Sequence, residues 1–345
     1  MPRYIMLVPD FISRMAVLTA MSFLRRYLSM TGIKKIFRAP AAMLLICLML
    51  SACAGAKTGT ESSFDPTAES VQIIGNPRIS YLGPEGTYTE EAAKFFFQSG
   101  SFQPKATVPD AISDIKNGNA DYAVIPQENT LGGATTNYIA AMISEDDISV
   151  TGEVILPINQ TLMGLSGSSI SDIRVVCSHI QGLKQSEAWR KEHLPDAITQ
   201  EMTSTAAAAS YVSESGDRTI AAIAAPGAAD LYGLSVLAKN VQISDANKTR
   251  FYVLASSSLK GGTLTNAAFA ATCEANRIDD IIVEIHNAGL ELVTIHDLPE
   301  GSQLGKYHYI IEVQDKAGIS DERIAKLESI PEVRYLGRFN VMVKQ

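Results

Sequence analysis

Between Ile79 and about Ser258 short β-branched, apolar runs alternate with longer stretches of helical spacing, a pattern that predicts α/β layers. The strand candidates are 79–82, 122–126, 150–155, 174–177, 219–224 and 251–255. Thr87 and Glu90 stand at capping-box spacing, so a helix is expected to start after the Gly83-Pro84-Glu85-Gly86 loop and run through Ala92, Ala93 and Phe95 to Phe97. Further helices are expected over 181–191 and 204–212, with a fourth opened by Pro226-Gly227-Ala228. The recurring unit is a strand, then small polar residues, then a helix N-terminus. Such junctions present free backbone N–H groups and a positive dipole end, which favour carboxylates. From Ala267 onward the order becomes strand, helix, strand, strand, helix, strand, at 268–274, 278–287, 290–296, 307–313, 320–329 and 333–339. Two βαβ halves in this order make a ferredoxin-like sandwich, with Ile278, Ile281, Ile282 and Ile285 on the helix face that meets the sheet.

The first 53 residues read differently. An apolar run over 40–50 follows Lys34, Lys35 and Arg38 and ends at Ser51-Ala52-Cys53, the layout of a secretory leader too short for a membrane span. Leu50-Ser51-Ala52-Cys53 matches a lipobox, which makes Cys53 the expected lipidation site and new N-terminus. Residues 1–29 are long for such a leader, and Met30 would open one of ordinary length. Residues 54–76 are expected to form a flexible tether, Ser, Thr, Gly and Ala dominating 54–70. The chain is thereby expected to be exported and to touch the membrane only through its lipid.

Without the leader the charge balance shifts. Residues 1–53 hold seven Lys/Arg and one acid, leaving 22 bases against 36 acids, a net charge of −14. Nucleic acid and anionic membrane surfaces are disfavoured partners, and an anionic ligand has to be held by local groups. Cys177 and Cys273 lie in apolar strand patterns, and the five His are scattered without metal-ligand spacing, so no metal site is expected.

Five motifs occur in order: Gly83-Pro84-Glu85-Gly86-Thr87-Tyr88-Thr89, Pro126-Gln127-Glu128-Asn129-Thr130, Ser178-His179-Ile180-Gln181, Ser204-Thr205-Ala206 and Asn247-Lys248-Thr249-Arg250-Phe251. Together they resemble the prephenate dehydratase family, whose catalytic part is followed by a small regulatory ACT domain. The resemblance implies a two-lobed, periplasmic-binding-protein-like catalytic domain over 77–265 and a βαββαβ ACT domain over 266–345. It implies a monofunctional lyase, with no cofactor, that converts prephenate to phenylpyruvate in phenylalanine biosynthesis.

Site roles follow from the resemblance and from side-chain chemistry. Thr249 takes the catalytic place as a hydrogen-bond donor or relay to the departing oxygen, and Glu128 is the candidate proton source. Arg250 offers a planar fork for the pyruvyl carboxylate, set against a structural ion pair in the hinge. Asn129, Thr130, Thr87, Thr89, Ser204 and Thr205 are expected as neutral donors around the same pocket, and Phe251, Asn247 and His179 are counted with them. In the ACT region the family's Gly-Ala-Leu and Glu-Ser-Arg-Pro elements are replaced by Asn276-Arg277-Ile278 and His296-Asp297-Leu298-Pro299. Asn276, Arg277, His296 and Asp297 are then the candidate effector residues. The replacements weigh against feedback by phenylalanine, while a homodimer or higher homo-oligomer remains expected. The competing reading is an exported solute-binding or amino-acid-sensing protein that has lost catalysis.

Overall fold

The computed structural model describes residues 75–244 and 246–345; the leader, Cys53 and the tether through residue 74 lie outside the described residues. The first lobe begins with β1 (Arg78–Leu82), α1 (Tyr88–Phe97), β2 (Ser101–Lys105), α2 (Val108–Lys116), β3 (Tyr122–Asn129), β4 (Gly133–Ala134), α3 (Thr136–Ser144) and β5 (Ser149–Pro157). The chain then crosses to the second lobe: β6 (Thr161–Gly164), β7 (Val175–Ser178), α4 (Ile180–Gln185), α5 (Glu187–His193), β8 (Ile198–Glu201), α6 (Thr205–Ser215), β9 (Ile220–Ala224), α7 (Gly227–Leu231) and β10 (Ser235–Ala238). It returns through β11 (Lys248–Ala255) to the middle of the first sheet. Two crossings between two α/β lobes give the periplasmic-binding-protein-like arrangement.

The third unit holds β12 (Asn266–Glu274), α8 (Ile278–Asn287), β13 (Glu291–Pro299), β14 (Lys306–Gln314), α9 (Asp321–Glu328) and β15 (Val333–Phe339). Its antiparallel sheet runs β13-β14-β12-β15, the ferredoxin-like order. The chain does not stop there. A last strand, β16 (Val341–Val343), pairs in parallel with β5, so the first sheet runs β16-β5-β11-β3-β1-β2. The expected boundary at 265/266 therefore does not divide the molecule cleanly, because the catalytic sheet takes its edge strand from beyond the ferredoxin-like unit.

Local chemistry explains the elements. Thr87 caps α1 by accepting from Glu90 N, and the Glu90 carboxylate accepts from Gly86 N at 2.6 Å. Ser204 caps α6 in the same way, and Gly216 ends that helix at φ 66°. The helix expected over 181–191 is two, because the Ser186 hydroxyl donates to Gly182 O at 2.7 Å and the chain restarts there. Strands β2, β6, β8 and β10, with four or five residues each, go beyond the sequence expectation.

One face of the ferredoxin-like sheet packs on its own helices, through Phe269, Ala271 and Ile311 against Ile281, Ile285 and Ile324. Its other face, with Ala268, Ala270, Ile310 and Phe339, packs against Tyr138, Met142 and Tyr252 of the catalytic lobe. Burial on both faces accounts for the uninterrupted apolar run Ala267-Ala268-Phe269-Ala270-Ala271. The two units meet backbone to backbone at Gly337 (φ 144°), where a Cβ would lie 2.1 Å from Val150 O. Gly337→Ala is expected to force the sheets apart and cost about 1–3 kcal/mol, read as a lower midpoint in urea unfolding with an unchanged slope.

Candidate active site

A cavity of about 640 Å³ opens between the two α/β lobes. Four helix N-termini reach it: Thr87, Tyr88 and Thr89 at α1, Thr135, Thr136 and Asn137 at α3, His179 and Gln181 at α4, and Thr203, Ser204 and Thr205 at α6. Among the described residues that line it, none is Lys or Arg. What these four ends offer an anion is backbone N–H groups and the positive ends of helix dipoles, an arrangement suited to carboxylates.

Thr249 stands on this cavity with its hydroxyl aimed by Asn129. The Asn129 Oδ1 accepts from Leu131 N and Gly132 N, both at 3.0 Å, which fixes the amide orientation. Its NH₂ group therefore faces Thr249 Oγ1 and Asn247 Oδ1, each at 2.9 Å. With an oxygen lone pair taken by Asn129, the Thr249 hydroxyl keeps its own proton free to donate. Asn247 is 1% exposed and acts from behind, as the support of Asn129.

Strand alternation divides the remaining residues. Thr249 and Phe251 line the cavity, while Arg250 and Tyr252 project from the opposite face of β11, towards the ferredoxin-like unit. Arg250 binds Glu153 bidentately, Nε to Oε1 at 2.7 Å and Nη2 to Oε2 at 2.8 Å, and also donates to Glu312 Oε2. Its Nη1 lies 3.5 Å from Glu128 Oε2. The expectation that Arg250 grips a substrate carboxylate is thus corrected: its fork is filled by protein carboxylates on the far side of the strand.

Three further expectations change. Thr130 is absent from the cavity lining, and its hydroxyl both accepts from Lys248 N and donates to Lys248 O, each at 3.1 Å. Glu128 borders the cavity, but register pairs it with Arg250, and its carboxylate sits 3.5 Å from both Arg250 Nη1 and His296 Nε2. His296 is buried in the interdomain contact, where its Nδ1 bonds the Tyr138 hydroxyl, so it does not join an effector group. Arg277 is held by Asp280 and Glu332, whereas Asn276 and Asp297 are exposed.

Thr87, Thr89, Ser204 and Thr205 line the cavity, and Thr87 and Ser204 also serve as helix caps. His179 lines it too, and its Nδ1 accepts from Gln181 N, which makes Nε2 the protonated nitrogen of the neutral ring. Three glutamines also line the cavity. Gln181 stood in a motif, whereas Gln160 and Gln185, joined by a 2.9 Å hydrogen bond, carried no local signal. Gln181 comes so near Gly132 of the other lobe that a Cβ there would lie 3.0 Å from its Nε2.

Buried beneath Thr249, the Arg250 cluster is electrostatically unusual. Burial and the neighbouring Glu312 charge push the Glu153 carboxyl up to about 7, against the pull of Arg250. Burial also opposes the Arg250 charge, but Glu153 and Glu312 outweigh it and raise its pKa. Burial lowers the His296 pKa despite the opposing pull of Glu128 and Glu312.

A hydroxyl aimed by an amide into an interlobe cleft bordered by helix N-termini gives this two-lobed α/β protein a site suited to a small anion. The family model described as Prephenate dehydratase matches residues 79–258, and the chain belongs to that family. The bifunctional chorismate mutase/prephenate dehydratase of Aquifex aeolicus is 32% identical over 252 residues, covering 72% of this chain and 68% of that protein. The prephenate dehydratase of Amycolatopsis methanolica is 31% identical over 272 residues, 76% of this chain and 88% of that one. The solved prephenate dehydratase of Arthrobacter aurescens, in complex with L-Phe, superposes with a TM-score of 0.68 at 28% identity, over 76% of this chain and 89% of that one.

Glu153 gives the fold a pH signature. Its pKa is raised on folding from 4.5 to about 7, so the stability contributed by its bound proton is full below about pH 4.5 and lost as pH rises through about 7. Glu153→Gln removes this titration, so the ratio of variant to unmodified stability is expected to rise between those pH values, measured as thermal midpoints across the range.

Proposed function

We propose that this chain converts prephenate to phenylpyruvate with loss of carbon dioxide and water, as a lyase of L-phenylalanine biosynthesis. The observation that carries the reading is the Asn129–Thr249 pair, which leaves a hydroxyl proton free to donate into a cavity lined by helix N-termini. The substrate is a dianion, and the helix ends supply seats for both carboxylates without a formal cation. As the ring carboxylate leaves as carbon dioxide, the electron pair of the broken C–C bond enters the ring. The C–O bond breaks at the opposite carbon, and hydroxide takes up one proton to become water. The Thr249 hydroxyl donates to that oxygen as charge develops on it, and water in the open cavity replaces the relayed proton. Glu128 has a lesser part in this scheme, because its carboxylate turns towards Arg250 and His296.

The ferredoxin-like unit is read as an ACT-type domain that pairs two copies of the chain. Supporting this, β13 is an edge strand, and Val283 and Val293 on that side of the unit are 54% and 38% exposed. The Arthrobacter aurescens protein was solved with L-Phe, and an amino-acid effector is proposed for this chain on that likeness. The lipobox at Leu50-Ser51-Ala52-Cys53 supports export with a lipid on Cys53.

Two measurements test these assignments. Phenylpyruvate formation from prephenate is expected to fall about 10²–10³-fold in kcat for Thr249→Ala and for Asn129→Ala, with Thr249→Ser retaining a substantial part. Saturable prephenate binding without turnover by the unmodified chain would instead favour a binding protein. On a sizing column with light scattering, Val283→Glu combined with Val293→Lys is expected to halve the mass; an unchanged mass would refute pairing through β13.

A further inference from the structure

Strand β3 carries one residue more than β11 where the two run towards the cavity. Arg250 pairs with Glu128 and Phe251 with Pro126, so Gln127 is the extra residue of a bulge. Its side chain is fully buried and donates through Nε2 to Glu312 Oε1. The Tyr252 hydroxyl donates to the same oxygen, and Arg250 Nη2 donates to Glu312 Oε2. All three donors belong to the catalytic domain, whereas Glu312 stands on β14 of the ferredoxin-like unit and has no exposed surface.

We propose that Glu312 is a positioning residue for the dehydration: by holding the Gln127 bulge and Arg250 together, it fixes the Asn129–Thr249 pair that follows on the same two strand ends. A bulge re-aims the side chains around it, and this one lies between the paired core of the sheet and the residues that meet the substrate. Thr249 is bonded directly to Arg250 in the chain, and Asn129 stands two residues from Gln127. A small rotation of either strand end would move the Thr249 hydroxyl away from the departing oxygen, and reactions governed by orientation lose rate steeply with such displacement. The carboxylate is suited to the place because three donors converge on it and it has only acceptor oxygens. A glutamine of the same shape would turn an NH₂ group towards either the guanidinium or the Tyr252 and Gln127 donors.

The inference rests on the dehydratase reading, so the unmodified full chain is assayed beside each variant, and an inactive unmodified chain would overturn that reading and this one with it. In Glu312→Gln we expect kcat to fall tenfold or more while KM stays within about threefold, in protein whose circular dichroism and cooperative melt show it folded. Gln127→Ala is expected to lower kcat similarly, and the double variant to lose no more than the worse single one, because both act through one bulge. Folded Glu312→Gln with unchanged kcat, a rise in KM alone, or losses that multiply in the double variant would overturn the proposal. Should Glu312→Gln not fold, Glu312→Asp, which keeps the charge but shortens its reach, is judged by the same criteria.

Discussion

A single guanidinium held among three carboxylates, two of them with no exposed surface, is the interaction on which the rest of the molecule depends. Arg250 draws one partner from β5, one from β3 and one from the ferredoxin-like sheet, so three strands and two domains converge on one side chain. One cation does not neutralise three anions in a site this dry, and the upward push on Glu153 shows where the imbalance is relieved. Breaking such a buried pair by removing one member leaves an uncompensated charge, at a cost of about 3–5 kcal/mol. The domain contact is therefore a fixed joint. Tyr138, Tyr252 and Gly337 pack the space around it with aromatic rings and bare backbone.

The cavity on the other face of the same strand follows the opposite rule, with no lysine or arginine among its described lining residues. Each helix N-terminus favours an anion by about 0.3–1 kcal/mol when exposed, more when partly buried, and four of them share this cleft. Such dispersed attraction is suited to a dianion, with no tight clamp on either carboxylate. That suits a reaction in which one carboxylate must leave as a neutral gas, since strong ground-state binding of that group would raise the barrier to its loss. The alternation of β11 is what separates the two environments: Thr249 serves the wet face and Arg250 the dry one.

Much of this was legible in the residues. The Thr87 and Ser204 caps mark where helices open on the cavity, and the strand and helix order after Ala267 gives the ferredoxin-like unit within a few residues at each end. The direction of Arg250 was not legible in practice, although a period of two already forbids Thr249 and Arg250 from serving the same side. Nothing local says which neighbour of a strand meets solvent and which meets another domain. The Gln127 bulge is a property of register, which no single strand carries in its own sequence. The return of β16 escapes for the same reason, since its three residues read like any short apolar tail until β5 is found beside them. Gln160 and Gln185 stand among polar neighbours in the chain, and the hydrogen bond that joins them on the cavity wall exists only in the folded lobe.

That return gives the chain an order of assembly. Val341–Val343 leaves the ribosome after every other described strand, yet it covers the free edge of β5, beside the strand that carries Thr249. Until it arrives, β5 presents unpaired backbone groups that another nascent chain can bind. The strands on either side of Thr249 are thus made before the strand that covers the outer edge of their sheet, and β16 closes that seam.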